Sequence, residues 1–167
     1  MAKADLTAAR LREVLDYNPQ TGAFYWRVFR SGRAVQGQQA ARAPRGSGYA
    51  TIFVDGHLYA AHRLAWLHVT GSWPTGLVDH KDGVKANNAF SNLRDVSHGV
   101  NLQNQRKARV DNLLGLLGVT HHPKNNKFQA RITLDKKTRS LGYFKTADEA
   151  HAAYLKAKRE LHVGNTL

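Results

Sequence analysis

Apolar residues recur at helical spacing near the start of the chain. Leu6, Leu11, Val14 and Leu15 predict a helix over 6–15, with Asp5 placed to cap it. Asn18-Pro19-Gln20-Thr21-Gly22 is a strong turn signal, and Phe24 to Val28 then reads as a strand. Residues 30–48 are rich in Gly, Arg, Ala and Gln and are expected to form a mobile basic loop. Tyr49–Val54 and Leu58–Ala61 flank Asp55-Gly56-His57, which predicts a hairpin. A short helix is expected over 62–70, ended by Trp73-Pro74-Thr75-Gly76. Val78-Asp79-His80 reads as a short strand, 81–91 as a polar loop and Asn92-Leu93-Arg94 as a returning strand. Ser97 is a natural cap for a helix of roughly 98–107, which puts Arg106, Lys107 and Arg109 at the end that favours cations.

After Asp111–Gly118, expected to be a linker or joint whose four leucines pack on something, the pattern changes. Residues 119–122, 127–134 and 139–144 predict three short strands, with turns at 123–126 and 135–138. Along 127–133, Phe128, Ala130 and Ile132 alternate with Lys127, Gln129, Arg131 and Thr133, so one face is apolar and the other polar. Thr146 caps a helix to about 161, with Ala147, Ala150, Ala153, Tyr154, Ala157 and Leu161 as its apolar stripe. Alanine on that stripe lets a helix lie close against a small sheet.

The chain has 167 residues, room for one full domain or two small ones. It carries 25 Lys and Arg against 12 Asp and Glu, a net charge of +13 spread along the whole length. Such a field suits a long polyanion better than a small acidic substrate, so a nucleic acid is the expected partner and would order the basic loop. There are no cysteines, which excludes disulfides and Cys-ligated zinc or iron–sulfur centres. With no apolar run near membrane-spanning length and no apolar signal core, the protein is expected to be intracellular, with no membrane partner.

The chemistry concentrates between His62 and Asn101. His62-Arg63-Leu64-Ala65-Trp66 is followed by Asp79-His80-Lys81-Asp82-Gly83, Asn87-Asn88, Asn92-Leu93-Arg94 and Asn101. Phosphodiester hydrolysis needs an activated water, stabilisation of the pentavalent charge and help for the leaving oxygen. A neutral histidine can take the proton, and Asp79 with the Asn101 carbonyl offers two hard oxygen ligands, a number that Mg²⁺ accepts. Neighbouring strand residues point to opposite faces, so Asp79 and His80 serve one site only if the strand ends or twists there.

Taken together these blocks resemble the HNH endonucleases, closest to the phage and intron-encoded homing type whose last motif position is Asn. The stretch Leu15–Arg27 also resembles the lead-in of such phage proteins, and the likeness spans roughly 11–106. It implies a ββα-metal nuclease core. His80 would be the general base. Asp79 and Asn101 would hold one divalent ion, Mg²⁺ or Mn²⁺. Asn92 would orient the His80 loop, Asn87 and Asn88 would brace it, and His62 would be structural or sit behind the site. Arg94, Arg106 and Lys107 would meet DNA.

Gly118-Val119, Phe128–Ile132, Leu141–Phe144, Thr146–Ala150 and Ala153-Tyr154 resemble an APETALA2-type DNA-binding domain over roughly 117–164. That family packs a three-stranded sheet on one helix and reads the major groove with the sheet. Phe128 stands where the family usually has Trp, and Thr120 where plant members have Arg. Gln129 and Arg131 are expected on base edges, with Lys127, Lys136, Lys137 and Arg139 on phosphates. The expected fold is α+β, with a nuclease domain at 1–110, a linker at 111–118 and the sheet-and-helix module at 119–167. The expected activity is metal-dependent, site-specific nicking of double-stranded DNA by a monomer, with a dimer as the alternative and no small-molecule cofactor. The rival readings are a non-catalytic sequence-specific DNA-binding protein or regulator, and a structural nucleoid or ribosomal protein.

Overall fold

A computed structural model describes residues 6–29, 34–41 and 48–166. The chain forms two compact units, Met1–Val96 and Ser97–Leu167. The expected fold class holds: helices alternate with small antiparallel sheets.

In the first unit, helix α1 spans Ala8–Val14. Its cap is Thr7, whose hydroxyl accepts from Arg10 N at 3.2 Å, while Asp5 lies outside the described residues. Leu15 leaves the helix and opens strand β1 (Leu15–Tyr17), which pairs with β2 (Phe24–Trp26) across the Asn18–Gly22 turn. The helical spacing of Leu11, Val14 and Leu15 hid β1, because Leu15 is as fully buried in the strand as a helix stripe would require. Part of the stretch expected as a loop continues this sheet: Trp26 N donates to Gln38 O and Ala40 N to Phe24 O, each at 2.9 Å. Residues 30–33 and 42–47 of that stretch lie outside the described residues.

Strands β3 (Thr51–Val54) and β4 (His57–Ala60) form the expected hairpin. Its two-residue turn needs positive φ twice, and Asp55 (46°) and Gly56 (82°) supply it. Helix α2 (Ala61–Thr70) stops at Gly71, left-handed at φ 81°, ahead of the Trp73–Gly76 stretch expected to end it. Strands β5 (Leu77–His80) and β6 (Leu93–Val96) enclose the polar loop. Leu11, Leu15, Phe24, Ile52, Val54, Leu64 and Val78 are among the residues of one core beneath these elements.

The second unit opens with α3 (His98–Gln103), capped by Ser97 as expected. The helix is shorter than the expected 98–107. The C-terminal segment takes over the polar groups beyond Gln103: Thr166 Oγ1 donates to Asn104, Lys158 donates to Gln105 O, and Arg106 donates to Thr166. Residues 111–118 belong to this unit, with Leu114, Leu116 and Leu117 packed on its core. Strands β7 (Val119–His122), β8 (Lys127–Leu134) and β9 (Lys137–Phe144) form a three-stranded antiparallel sheet covered by α4 (Ala147–Leu161). Thr146 and Glu149 close a reciprocal cap at the start of α4. Ala130, Ile132, Ala150, Tyr154 and Ala157 are buried between sheet and helix, whereas Leu161, expected on that stripe, is exposed. Lys158 is buried instead, because its stem packs inside while its ammonium reaches Gln105 O.

Candidate active site

Strand β5 ends at His80, and Asp79 and His80 are both buried, at 8 % and 4 % exposure. Asp79 sits directly across from Arg94 on β6, on the same sheet face. Arg94 therefore donates to Asp79 Oδ2 from Nε at 3.0 Å and Nη2 at 2.7 Å. The guanidinium of Arg94, a residue expected to meet DNA, lies on this carboxylate.

His80 shares an edge with two aromatic groups. Its ring meets His62 edge-on at 5.2 Å between centroids, and Tyr49 lies 5.9 Å away. Tyr49 also packs on His62 at 4.8 Å and carries the Lys85 ammonium over its ring at 4.6 Å. Burial, with the Asp79 charge added, pushes the Tyr49 phenol up. Tyr49 escaped the sequence reading because it belongs to no motif block and reaches the site only through the fold. Burial, then His80 and Arg63, holds His62 down to about 4, so it is neutral at physiological pH. Its Nδ1 is buried and finds no hydrogen-bond partner among the described residues.

Asn88 Oδ1 stands 3.1 Å from His80 Nε2. An amide oxygen only accepts, so this contact favours the tautomer with the proton on Nε2 and the lone pair on Nδ1. Asn88 is itself buried, at 5 % exposure.

The loop between β5 and β6 is held by its own side chains. Asn92 donates to Asp82 Oδ1 at 2.9 Å and to Asn87 O at 2.8 Å, and its oxygen accepts from Asp82 N at 3.0 Å. Asn87 donates to Asp82 Oδ2 at 2.7 Å, and Val84 N donates to Oδ1 at 2.8 Å. Burial works against the charge on Asp82, but these donors and the nearby His80 outweigh it and hold the carboxyl below its usual range. Asn92 ends a 3-10 turn at Phe90–Asn92, just where its side chain spans the loop. Asp79, His80, Asn87, Asn88 and Asn92 are thus brought together in the first unit. Asn101, Arg106 and Lys107 belong to the second, Asn101 on α3 and the two cations beyond its end.

Oxygen donors of the Asp79 kind fit a hard divalent cation. Among the described residues no group of three or more His, Cys, Asp or Glu is placed to hold a metal, and an Asp-plus-Asn ligand set would not form one.

On the three-stranded sheet, Lys127, Gln129, Arg131 and Thr133 face away from α4, beside Thr120 and His122 of β7 and Ser140 and Tyr143 of β9. Gln129 is bracketed: its oxygen faces His122 Nε2 at 3.2 Å and its amide donates to Ser140 Oγ at 3.0 Å. Arg131 donates to Thr120 Oγ1 at 2.6 Å, beside a shallow cavity of about 360 Å³ that both residues line. A bulge after Ala130 shifts the register, so Arg139 pairs with Ile132 and Lys137 with Leu134. Those two cations therefore leave the hairpin on the face opposite to Arg131. Lys136 sits in the left-handed turn at φ 64°.

Residues 59–103 match the HNH endonuclease family. The chain is 45% identical over 51 residues to DNA endonuclease I-HmuI of Bacillus phage SP01, which is 30% of this chain and 29% of that protein. It therefore spans under a third of that relative's length. A structure described as DNA binding and cleavage by the HNH homing endonuclease I-HmuI is similar at a TM-score of 0.42 and 32% identity, covering 55% of this chain and 51% of that one. The similarity to the HNH endonuclease family and to part of a phage homing endonuclease falls on the segment that carries Asp79, His80 and Asn92.

Proposed function

We propose that this protein is a metal-dependent, site-specific HNH endonuclease that nicks double-stranded DNA, acting as a monomer in the intracellular compartment of a phage-infected or bacterial cell. The observation that carries the reading is the His80 arrangement. Asn88 Oδ1 holds its Nε2, which favours a lone pair on Nδ1, and Asn92 ties down the loop beside it. A pure DNA-binding protein has no use for an oriented, buried imidazole next to a buried carboxylate.

In this mechanism His80 Nδ1 accepts the proton of a water that attacks phosphorus in line. Asp79, with Asn101, would hold one divalent cation, Mg²⁺ or Mn²⁺. When bound, that ion neutralises charge on the pentavalent phosphorus and the departing 3′-oxygen. Arg94 holds the Asp79 carboxylate in place through its two hydrogen bonds. Asn92 and Asn87 act by fixing the loop, and His62 backs the His80 ring. The products would carry 5′-phosphate and 3′-hydroxyl ends. One site per chain makes a nick the expected product. No small-molecule cofactor enters the scheme.

The three-stranded sheet and α4 serve, in this reading, as an APETALA2-like module at 119–167, joined through 111–118 to a nuclease domain at 1–110. Gln129 and Arg131 would read base edges, while Lys127, Lys136, Arg106 and Lys107 would meet phosphates; Lys137 and Arg139, on the opposite face, would do so only by reaching around the edge of the hairpin.

The test is supercoiled plasmid carrying candidate target DNA, incubated with Mg²⁺ or Mn²⁺, with EDTA and His80→Ala as controls. Metal-dependent nicking that disappears in His80→Ala is expected. Tight, salt-sensitive binding without cleavage would favour a DNA-binding regulator instead.

A further inference from the structure

We propose that the β1–β2 turn of the N-terminal segment is a positioning element of the nuclease site, acting through Tyr17, Gly22 and Asn88 on His80. The inference rests on the endonuclease reading, since it assigns a role toward the same imidazole.

Three contacts converge on residues 88–90. The Tyr17 hydroxyl donates to Asn88 O at 2.7 Å. Phe90 N donates to Pro19 O at 2.8 Å. Gly22 lies so close that a Cβ built there would stand 2.3 Å from the Asn88 carbonyl carbon and 2.5 Å from Ala89 N. At φ 74° it also adopts a conformation that glycine alone takes cheaply. The turn is rigid in its own right. Asn18 Oδ1 accepts from Gln20 N and Thr21 N, and Gly22 N donates back to Asn18 O at 2.8 Å. Tyr17 is fixed against Phe24 at 4.7 Å between rings. Burial pushes its phenol up to about 12, so it stays a donor throughout the working range.

The backbone of Asn88 is therefore clamped from the N-terminal hairpin, and its side-chain oxygen meets His80 Nε2. The physical consequence is a defined tautomer and ring angle at His80. A small misplacement of a reacting group costs as much as roughly 10²-fold in rate. Neither Tyr17 nor Gly22 touches the reacting atoms, so both are positioning residues.

The experiment uses the full chain with Tyr17→Phe, Asn88→Ala and the double variant. Two readouts are made: single-site cleavage kinetics, and the His80 ring ¹⁵N shifts at a pH where the ring is neutral. The expectation is a kcat loss of roughly 10- to 100-fold for Asn88→Ala and a smaller loss for Tyr17→Phe, with KM for DNA unchanged. The double variant should be no worse than Asn88→Ala alone, because both changes act through one contact. The ring shifts should move from one dominant Nε2–H tautomer toward a mixture in each variant. Unchanged shifts in Asn88→Ala and Tyr17→Phe would overturn the proposal, whether or not the protein cuts DNA. If the wild type cuts nothing while the shifts still respond, the endonuclease reading fails and the clamp on His80 stands.

Discussion

His62 is a buried imidazole whose Nδ1 has no hydrogen-bond partner among the described residues, pressed edge-on to the proposed base. Its folded-state value of about 4 lies below the ordinary 6.5 of the unfolded chain, chiefly through burial. Between those values the unfolded state binds more protons, so stability rises with pH there. It is complete above about 6.5 and is lost as the pH falls toward 4. Denaturant unfolding at pH 4.5 and 7.5 should show this slope, and His62→Phe should flatten it. At about 1.36 kcal/mol per unit, the pH-dependent stability removed is at most about 3.4 kcal/mol. An identical slope in the variant would mean that His62 is protonated in the fold. Asp79, His80, Asn87, Asn88 and Asn92 were legible in the sequence because their spacing is local. Tyr49 was not, because it comes from a separate segment. The Arg94–Asp79 pair was not either, since it depends on cross-strand register that puts both on one face.

Elements were easiest to foresee where turn chemistry and periodicity agreed. The β3–β4 hairpin, α2 and α4 all follow that rule. The misses have physical causes: β1 was concealed by a helix-like spacing, and α3 stops early because residues 158–166 capture the polar groups beyond it. The β8–β9 turn carries a cost that can be measured. Lys136 occupies φ 64°, where a side chain is strained and glycine is not. Lys136→Gly should raise the unfolding free energy by roughly 0.5–1 kcal/mol, seen as a higher melting temperature. If Lys136 also contacts phosphate, the same variant binds DNA more weakly. A lower melting temperature would contradict the strain argument.

For the whole molecule, charge is the dominant fact. Met1–Val96 carries 12 bases against 7 acids, and Ser97–Leu167 carries 13 against 5, so the second unit holds the larger excess at +8 against +5. Counterion release then predicts steep salt dependence. Four phosphate contacts imply a loss of roughly 10²-fold in affinity between 50 and 200 mM salt. Filter binding across a salt series should find a slope in that range, and Lys127→Ala should reduce it by about one. An unchanged slope would remove the outer sheet face from the DNA contact.

The sequence by itself determined a set of residues at fixed spacing that resembles the HNH pattern, a basic chain without cysteine, and strands and helices wherever period and cap coincided. Those properties are local or compositional, so they are written in the order of residues. Only the tertiary structure decided which groups touch. It set Arg94 against Asp79, Asn88 against His80 and the N-terminal turn against the Asn88 backbone, and it turned Arg139 to the sheet face opposite Arg131. Strand register, a bulge and the packing of distant segments set these contacts, and none of the three has a signature in short-range spacing.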